Sequence, residues 1–179
     1  MDIEQAKAAA KDAGFKVAEP LDPENLVFRQ DIRDMCAPDK CRNGYGKSWS
    51  CPPAAAPLDE LSEKAKGFAK GVLVQTICRM EDPFDFESVM ESAKEHGRHF
   101  VALADALREA GEHIFPMGAG SCRRCEKCTY PDQPCRFPDR MITSMEASGL
   151  FVSQVCKDNH LPYYYGENTV AYTSCILFH

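Results

Sequence analysis

Several features that would point to common protein classes are missing from this sequence of 179 residues. No segment approaches the run of about 18 to 20 apolar residues that spans a bilayer. The first 15 residues alternate charge with alanine, and they lack the basic and continuous apolar stretches of a secretory signal. We therefore expect a cytoplasmic protein with no membrane partner.

An excess of positive charge is also missing, because the formal net charge is −6. General nucleic-acid binding usually needs a broad basic surface. We expect no nucleic-acid partner.

The familiar catalytic signatures are absent as well. The sequence has no Walker A motif, no G-x-S-x-G, no G-x-G-x-x-G after a strand and no Cys-x3-Cys-x2-Cys loop of the radical S-adenosylmethionine type. Its five histidines show no pairing at zinc-site spacing. The cysteines are left as the main source of chemistry.

What the chain does have is an ordinary globular composition, with 44% apolar and 27% charged residues. Its length allows one well-buried core and is short for two domains. We predict a single metal-binding domain over residues 1–179.

Ten cysteines dominate the functional signal. A reducing cytoplasm disfavours disulfides, so clustered cysteines there indicate metal ligands or redox groups. An exported disulfide scaffold is the alternative. The cysteines form two clusters and three isolated positions.

The stronger cluster is Cys-x2-Cys-x2-Cys-x6-Cys, formed by Cys122, Cys125, Cys128 and Cys135. Structural zinc sites usually take cysteines as two separated pairs, whereas three cysteines at successive three-residue steps wrap around a larger body, as in ferredoxin loops. The fourth cysteine follows later than in a ferredoxin loop. The spacing favours a [4Fe–4S] cluster, with zinc as the alternative.

The other cluster, Cys36, Cys41 and Cys51, lies in "CAPDKCRNGYGKSWSCPP". Proline after the last cysteine stops a helix, which suits a tight loop around an inorganic group. Only three cysteines are present, so either a fourth ligand comes from elsewhere or one iron stays open to a substrate or a non-cysteine ligand. Half of a zinc site is the alternative.

The three isolated cysteines are candidates for that fourth ligand. Because free cysteine often packs as a small apolar residue, we predict that they belong to the core: Cys78, Cys156 and Cys175.

The predicted scaffold alternates helices and strands. Helices are expected at residues 2–13, 57–69 and 88–110, the last divided at Gly97, with one or two more in 141–160. Strands are expected at residues 25–32, 71–78, 113–119 and 168–179. This order predicts an α/β or α+β sandwich of a small mixed sheet with helices, with cysteine-rich loops at 36–53 and 120–138 inserted at strand ends.

Three stretches carry a resemblance to a known family: "CAPDKCRNGYGKSWSCPP", "FVALADALREAGEHIFPMGAGSCRRCEKC" and "PCRFPDRMITSMEASGLFV". Together they resemble a prokaryotic family of predicted metal-binding proteins that is common in anaerobes. The resemblance covers about residues 25–178 and brings no reaction. It implies that the seven clustered cysteines are the ligands, and it also includes Ser144, Met145, Glu146, Ala147 and Gly149.

The main hypothesis is a cytoplasmic iron–sulfur protein with two [4Fe–4S] clusters that transfers electrons or serves as a small reductase component. Its partner would be a redox protein or a small-molecule ligand. Glu146 could face the open site as a ligand or proton donor, although a helix N-cap is the simpler role. The alternatives are a zinc-binding structural or partner-recognition module without redox activity, and a reductase that serves a bound corrinoid or flavin.

Overall fold

The computed structural model describes all 179 residues and shows an α+β fold. One mixed sheet of five strands has the order β1-β2-β5-β3-β4. The strands are β1 (Val17–Leu21), β2 (Lys70–Arg79), β3 (Ile114–Gly118), β4 (Thr143–Ser144) and β5 (Thr169–Phe178). Only the β3–β4 pair is parallel, and the other three pairs are antiparallel.

Five α-helices accompany the sheet: α1 (Ile3–Asp12), α2 (Gln30–Arg33), α3 (Leu58–Ala65), α4 (Phe86–Glu109) and α5 (Val152–Asp158). Two short 3₁₀ helices lie at Pro23–Asn25 and Pro138–Arg140. Asp2 and Asp85 accept hydrogen bonds from free backbone amides at the starts of α1 and α4, which stabilises those ends. None of the helices combines the length and the apolar character that crossing a bilayer requires.

Both faces of the sheet are buried, because side chains of one strand point alternately to opposite sides. Leu73 of β2 belongs to a cluster with residues of α3 and α5, whereas its neighbours Val72 and Val74 belong to a cluster with residues of α1 and α4. The helices therefore form a layer on each side of the sheet, which is the predicted sandwich.

The predicted strand at residues 25–32 is wrong. Phe28 makes one isolated bridge to Leu150, and the chain then turns into α2. The N-terminal cysteine loop therefore follows a short helix and not a strand end. β1 was not predicted at all, and the region 141–160 contains only one helix, α5, after the short strand β4.

Gly97 does not divide α4, which runs without a break through residues 86–109. A Cβ at position 97 would stand 2.2 Å from Cδ of Arg123. Glycine there lets the Arg123 side chain, from the C-terminal cysteine loop, lie directly on the helix.

Candidate metal centres

The C-terminal loop, residues 120–138, begins two residues after β3 ends. Gly120 has a φ of +74°, a backbone angle that glycine adopts without strain, and so the chain turns away from the sheet. All four clustered cysteines of this loop line one small pocket. The structure thus brings together the cysteines that the sequence motif joined: Cys122, Cys125, Cys128 and Cys135.

Polar groups around Cys128 act on the pKa of its thiol. Burial by itself would raise this pKa, but the nearby backbone amides of Tyr130, Trp49 and Thr129 and the hydroxyl of Ser48 lower it below its usual value. Hydrogen-bond donors near a sulfur favour its thiolate form. A thiolate is the form that binds metals.

Arginine side chains fasten this loop to α4. Arg124 donates to both carboxylate oxygens of Asp105, at 2.8 and 2.9 Å, and its Nε donates to the carbonyl of Arg140 at 3.0 Å. Arg140 and Arg108 also lie within ion-pair distance of Asp105. Arg124 and Arg136 also line the cysteine pocket, where Asp105 balances the charge of Arg124 and Arg136 donates to the carbonyl of Lys127.

The N-terminal loop, residues 36–53, follows α2. A Cβ at Gly44 would stand 3.0 Å from Sγ of Cys51 and 3.4 Å from Sγ of Cys41. The two sulfurs therefore face one another across Gly44, and any side chain there would enter the space between them. The hydroxyl of Ser121 lies 3.2 Å from Sγ of Cys51.

Cys36 belongs to the same group of sulfurs. Burial raises its pKa to about 11, and the neighbouring Cys41, Glu146 and Cys51 add to that rise, while Arg33 opposes it. Burial raises the pKa of Cys51 and of Glu146 as well, so Cys36, Cys51 and Glu146 resist ionisation unless a cation joins them. A metal would supply that cation.

A tight turn holds Glu146 beside this group. The hydroxyl of Ser144 accepts the amide of Ala147 at 2.9 Å, and the side chain of Arg33 donates both to the carbonyl of Ala147 and to that of Ala55. Arg33 thereby links the turn to the segment that follows Cys51. Gly149, with a φ of +79°, closes the turn against the backbone of Arg29.

Glu146 is the one exposed residue within the buried stretch 142–150. Its side chain touches solvent, yet the protein around it is dense enough that burial raises its pKa, against the opposing effect of its own amide and of Ser144. The helix-cap interpretation is wrong, since α5 begins after Phe151 without any side-chain cap.

The two loops share a wall, which we call the bridge, formed by Ser48, Trp49 and Ser50 of the N-terminal loop. Ser50 Oγ accepts the amide of Cys122 at 2.9 Å. Trp49 packs edge-to-face on Tyr130 with ring centroids 4.9 Å apart, and its Nε1 donates to the carbonyl of Gln133 at 3.1 Å. The bridge is part of the N-terminal loop in the sequence, but its three residues line the pocket of the C-terminal cysteines.

The isolated cysteines lie in the core, where Cys78 is 3% exposed and Cys156 and Cys175 are fully buried. Cys175 pairs in the middle of the sheet with Leu73 of β2 and Met117 of β3. Their burial supports the predicted core role.

Sequence reasoning missed the bridge, Ser121, Arg33 and Asp105. Ser48 and Ser50 flank Trp49 directly before Cys51, and hydroxyls next to a candidate ligand are the signal that could have drawn attention to them.

As the side chains stand, no three histidine, cysteine or acidic groups are arranged to hold a single metal ion.

Comparison with known proteins gave one finding. The family described as "Predicted metal-binding protein (DUF2284)" has a model that matches residues 19–178. Searches of curated proteins and of solved structures found no match. The matched range contains both cysteine loops and the turn of Glu146.

Proposed function

Because the chain belongs to this family of predicted metal-binding proteins, we propose that it holds two [4Fe–4S] clusters and acts in electron transfer or as a small reductase component. The observation that carries the proposal is the cavity lined by all four cysteines of the C-terminal loop. Their donor set is purely thiolate, which suits an iron–sulfur cluster.

The C-terminal centre would be held by Cys122, Cys125, Cys128 and Cys135. A bound cluster supplies one-electron chemistry, and its potential depends on hydrogen bonds to the sulfurs and on nearby charge. The polar groups around Cys128 and the arginines along the wall both stabilise the added negative charge of a reduced centre. We assign this centre to electron transfer.

The N-terminal centre would be held by Cys36, Cys41 and Cys51. Three cysteines leave one position for another ligand or for a substrate. Glu146 lies close enough to Cys36 for its charge to help raise the pKa of that thiol, and it stands on a turn that Arg33 fixes to the loop. We assign Glu146 to that position, as a ligand or as the group that holds a proton for a bound substrate.

Reductive titration of the protein purified without oxygen tests the proposal. Two centres should take up two electrons per chain, and Cys125→Ser and Cys41→Ser should each take up one, because each variant disables a different loop. A protein that takes up no electrons in a reductive titration would contradict the redox role and would favour the zinc alternative.

A further inference from the structure

The bridge makes direct contact with both cysteine sets. Ser48, Trp49 and Ser50 line the pocket of the four C-terminal cysteines, and Ser50 accepts the amide of Cys122 at 2.9 Å. Cys51, a ligand of the other centre in the proposed function, follows Ser50 directly in the chain. Its amide donates to the carbonyl of Ser48 at 3.2 Å.

The two hydroxyls of the bridge are buried and bonded to each other. Ser48 is 4% exposed and Ser50 is not exposed at all. Their Oγ atoms are 2.8 Å apart, and the amide of Ser50 donates to Ser48 Oγ at 3.2 Å. Buried hydroxyls keep such partners because an unpaired one would cost about 1–3 kcal/mol.

The bond between the two hydroxyls uses one of their two protons. Ser50 Oγ also lies 3.9 Å from the sulfur of Cys51, and Ser48 Oγ accepts the amide of Ser50. The bridge is therefore a hydrogen-bonded pair of serines that holds the backbone of Cys122 in one loop and directly precedes Cys51 in the other.

We infer that Ser48 and Ser50 are positioning residues that couple the two centres, so that filling one centre favours filling the other. The inference rests on the proposed function, since both centres must bind metal. A metal on Cys51 fixes the turn of residues 48–51, and this turn carries the hydroxyl of Ser50 that holds the amide of Cys122. Coupling of this kind is reciprocal.

Native mass spectrometry after partial reconstitution tests the coupling. Metal-free protein receives ferrous iron and sulfide without oxygen, in half the amount that would fill both centres. Coupled loading predicts mainly empty and fully loaded chains. If the two centres fill independently, chains with only one filled centre should form a large population, in the proportion that random filling gives.

The variants identify the residues responsible. Ser48→Ala combined with Ser50→Ala should raise the half-loaded population several-fold, whereas Ser48→Thr, which keeps the hydroxyl, should behave as wild type. Ser174→Ala is the matched control, because that buried serine bonds to His96 and to no cysteine.

Each outcome bears on a different claim. A statistical half-loaded population in the wild type would overturn the coupling and leave the two-centre proposal standing. An unchanged distribution in the double variant would overturn the role of the serines. A wild-type chain that takes up no iron would overturn the proposed function and the coupling with it. The wild-type distribution decides the coupling even if the double variant fails to fold.

Discussion

Arg124 and Asp105 form a two-pronged ion pair, with N–O distances of 2.8 and 2.9 Å, that joins the C-terminal loop to α4. The Arg124 side chain is only 8% exposed, so Asp105 is needed to stabilise its buried positive charge. The pair holds the loop that forms the cysteine pocket against α4, the longest helix of the fold.

Asp105→Ala should weaken the C-terminal centre. Removing the charged hydrogen-bond partner of a buried guanidinium lowers the stability of the fold by about 1.5–3 kcal/mol. The loop that carries the four cysteines also loses its attachment to α4. We expect metal to leave the C-terminal centre faster in the presence of a chelator, measured as metal released over time. Glu109→Ala, an exposed acid on the same helix, is the control, and equal release rates in the two variants would refute the anchoring role.

Gly44→Ala should impair the N-terminal centre selectively. The new methyl group would stand 3.0 Å from the sulfur of Cys51 and 3.2 Å from the hydroxyl of Ser121, in the space that a metal between the sulfurs must use. We expect metal analysis to show loss confined to one of the two centres. Asn43→Ala, an exposed neighbour, should keep full metal content. A normal count in Gly44→Ala would show that the sulfurs of Cys41 and Cys51 do not share a metal.

Cys78→Ser should leave the metal content unchanged. Cys78 is 3% exposed within β2, and a hydroxyl placed there without a partner destabilises the fold by about 1–3 kcal/mol. Chemical denaturation should therefore show the loss of stability while metal analysis shows none. Loss of a centre in this variant would make Cys78 the missing fourth ligand.

His96 should make the fold less stable in mild acid. Burial, with the charges of His99 and Arg123, lowers its pKa to about 3, whereas the unfolded chain has a histidine pKa near 6.5. Because the unfolded state binds the proton first, the stability that the neutral ring contributes is present above pH of about 6.5 and falls as the pH drops toward the folded pKa.

The loss attributable to His96 should reach about 1 kcal/mol between pH 6.5 and 5.5. Chemical denaturation of wild type and His96→Asn over this range measures it, since the variant lacks the titrating group and should show a shallower decline. Parallel declines would mean that His96 is not responsible.

Local sequence patterns predicted those parts of the structure whose conformation is set mainly by residues nearby in the sequence. The apolar run Val72–Val74 predicted β2, and the three-residue spacing of Cys122, Cys125 and Cys128 predicted that these cysteines line one site. In contrast, Glu19 and Pro20 interrupt the apolar pattern of β1, which exists because it pairs along β2. Pairing with a distant strand overrides weak local propensity.

The shared wall between the loops could not be predicted from the sequence. Ser50 and Cys122 lie 72 positions apart, and no local pattern indicates which hydroxyl will meet which amide. The same holds for Arg33, whose guanidinium reaches the carbonyls of Ala55 and Ala147. Such contacts depend on how α2, the N-terminal loop and the turn of Glu146 pack together.

The central claim is that the seven clustered cysteines hold two iron–sulfur clusters. Counting iron, zinc and acid-labile sulfide per chain, in protein purified without oxygen, tests it most directly. We predict roughly eight irons with matching sulfide, as two cubanes require. Two zinc ions per chain with no sulfide would contradict the claim.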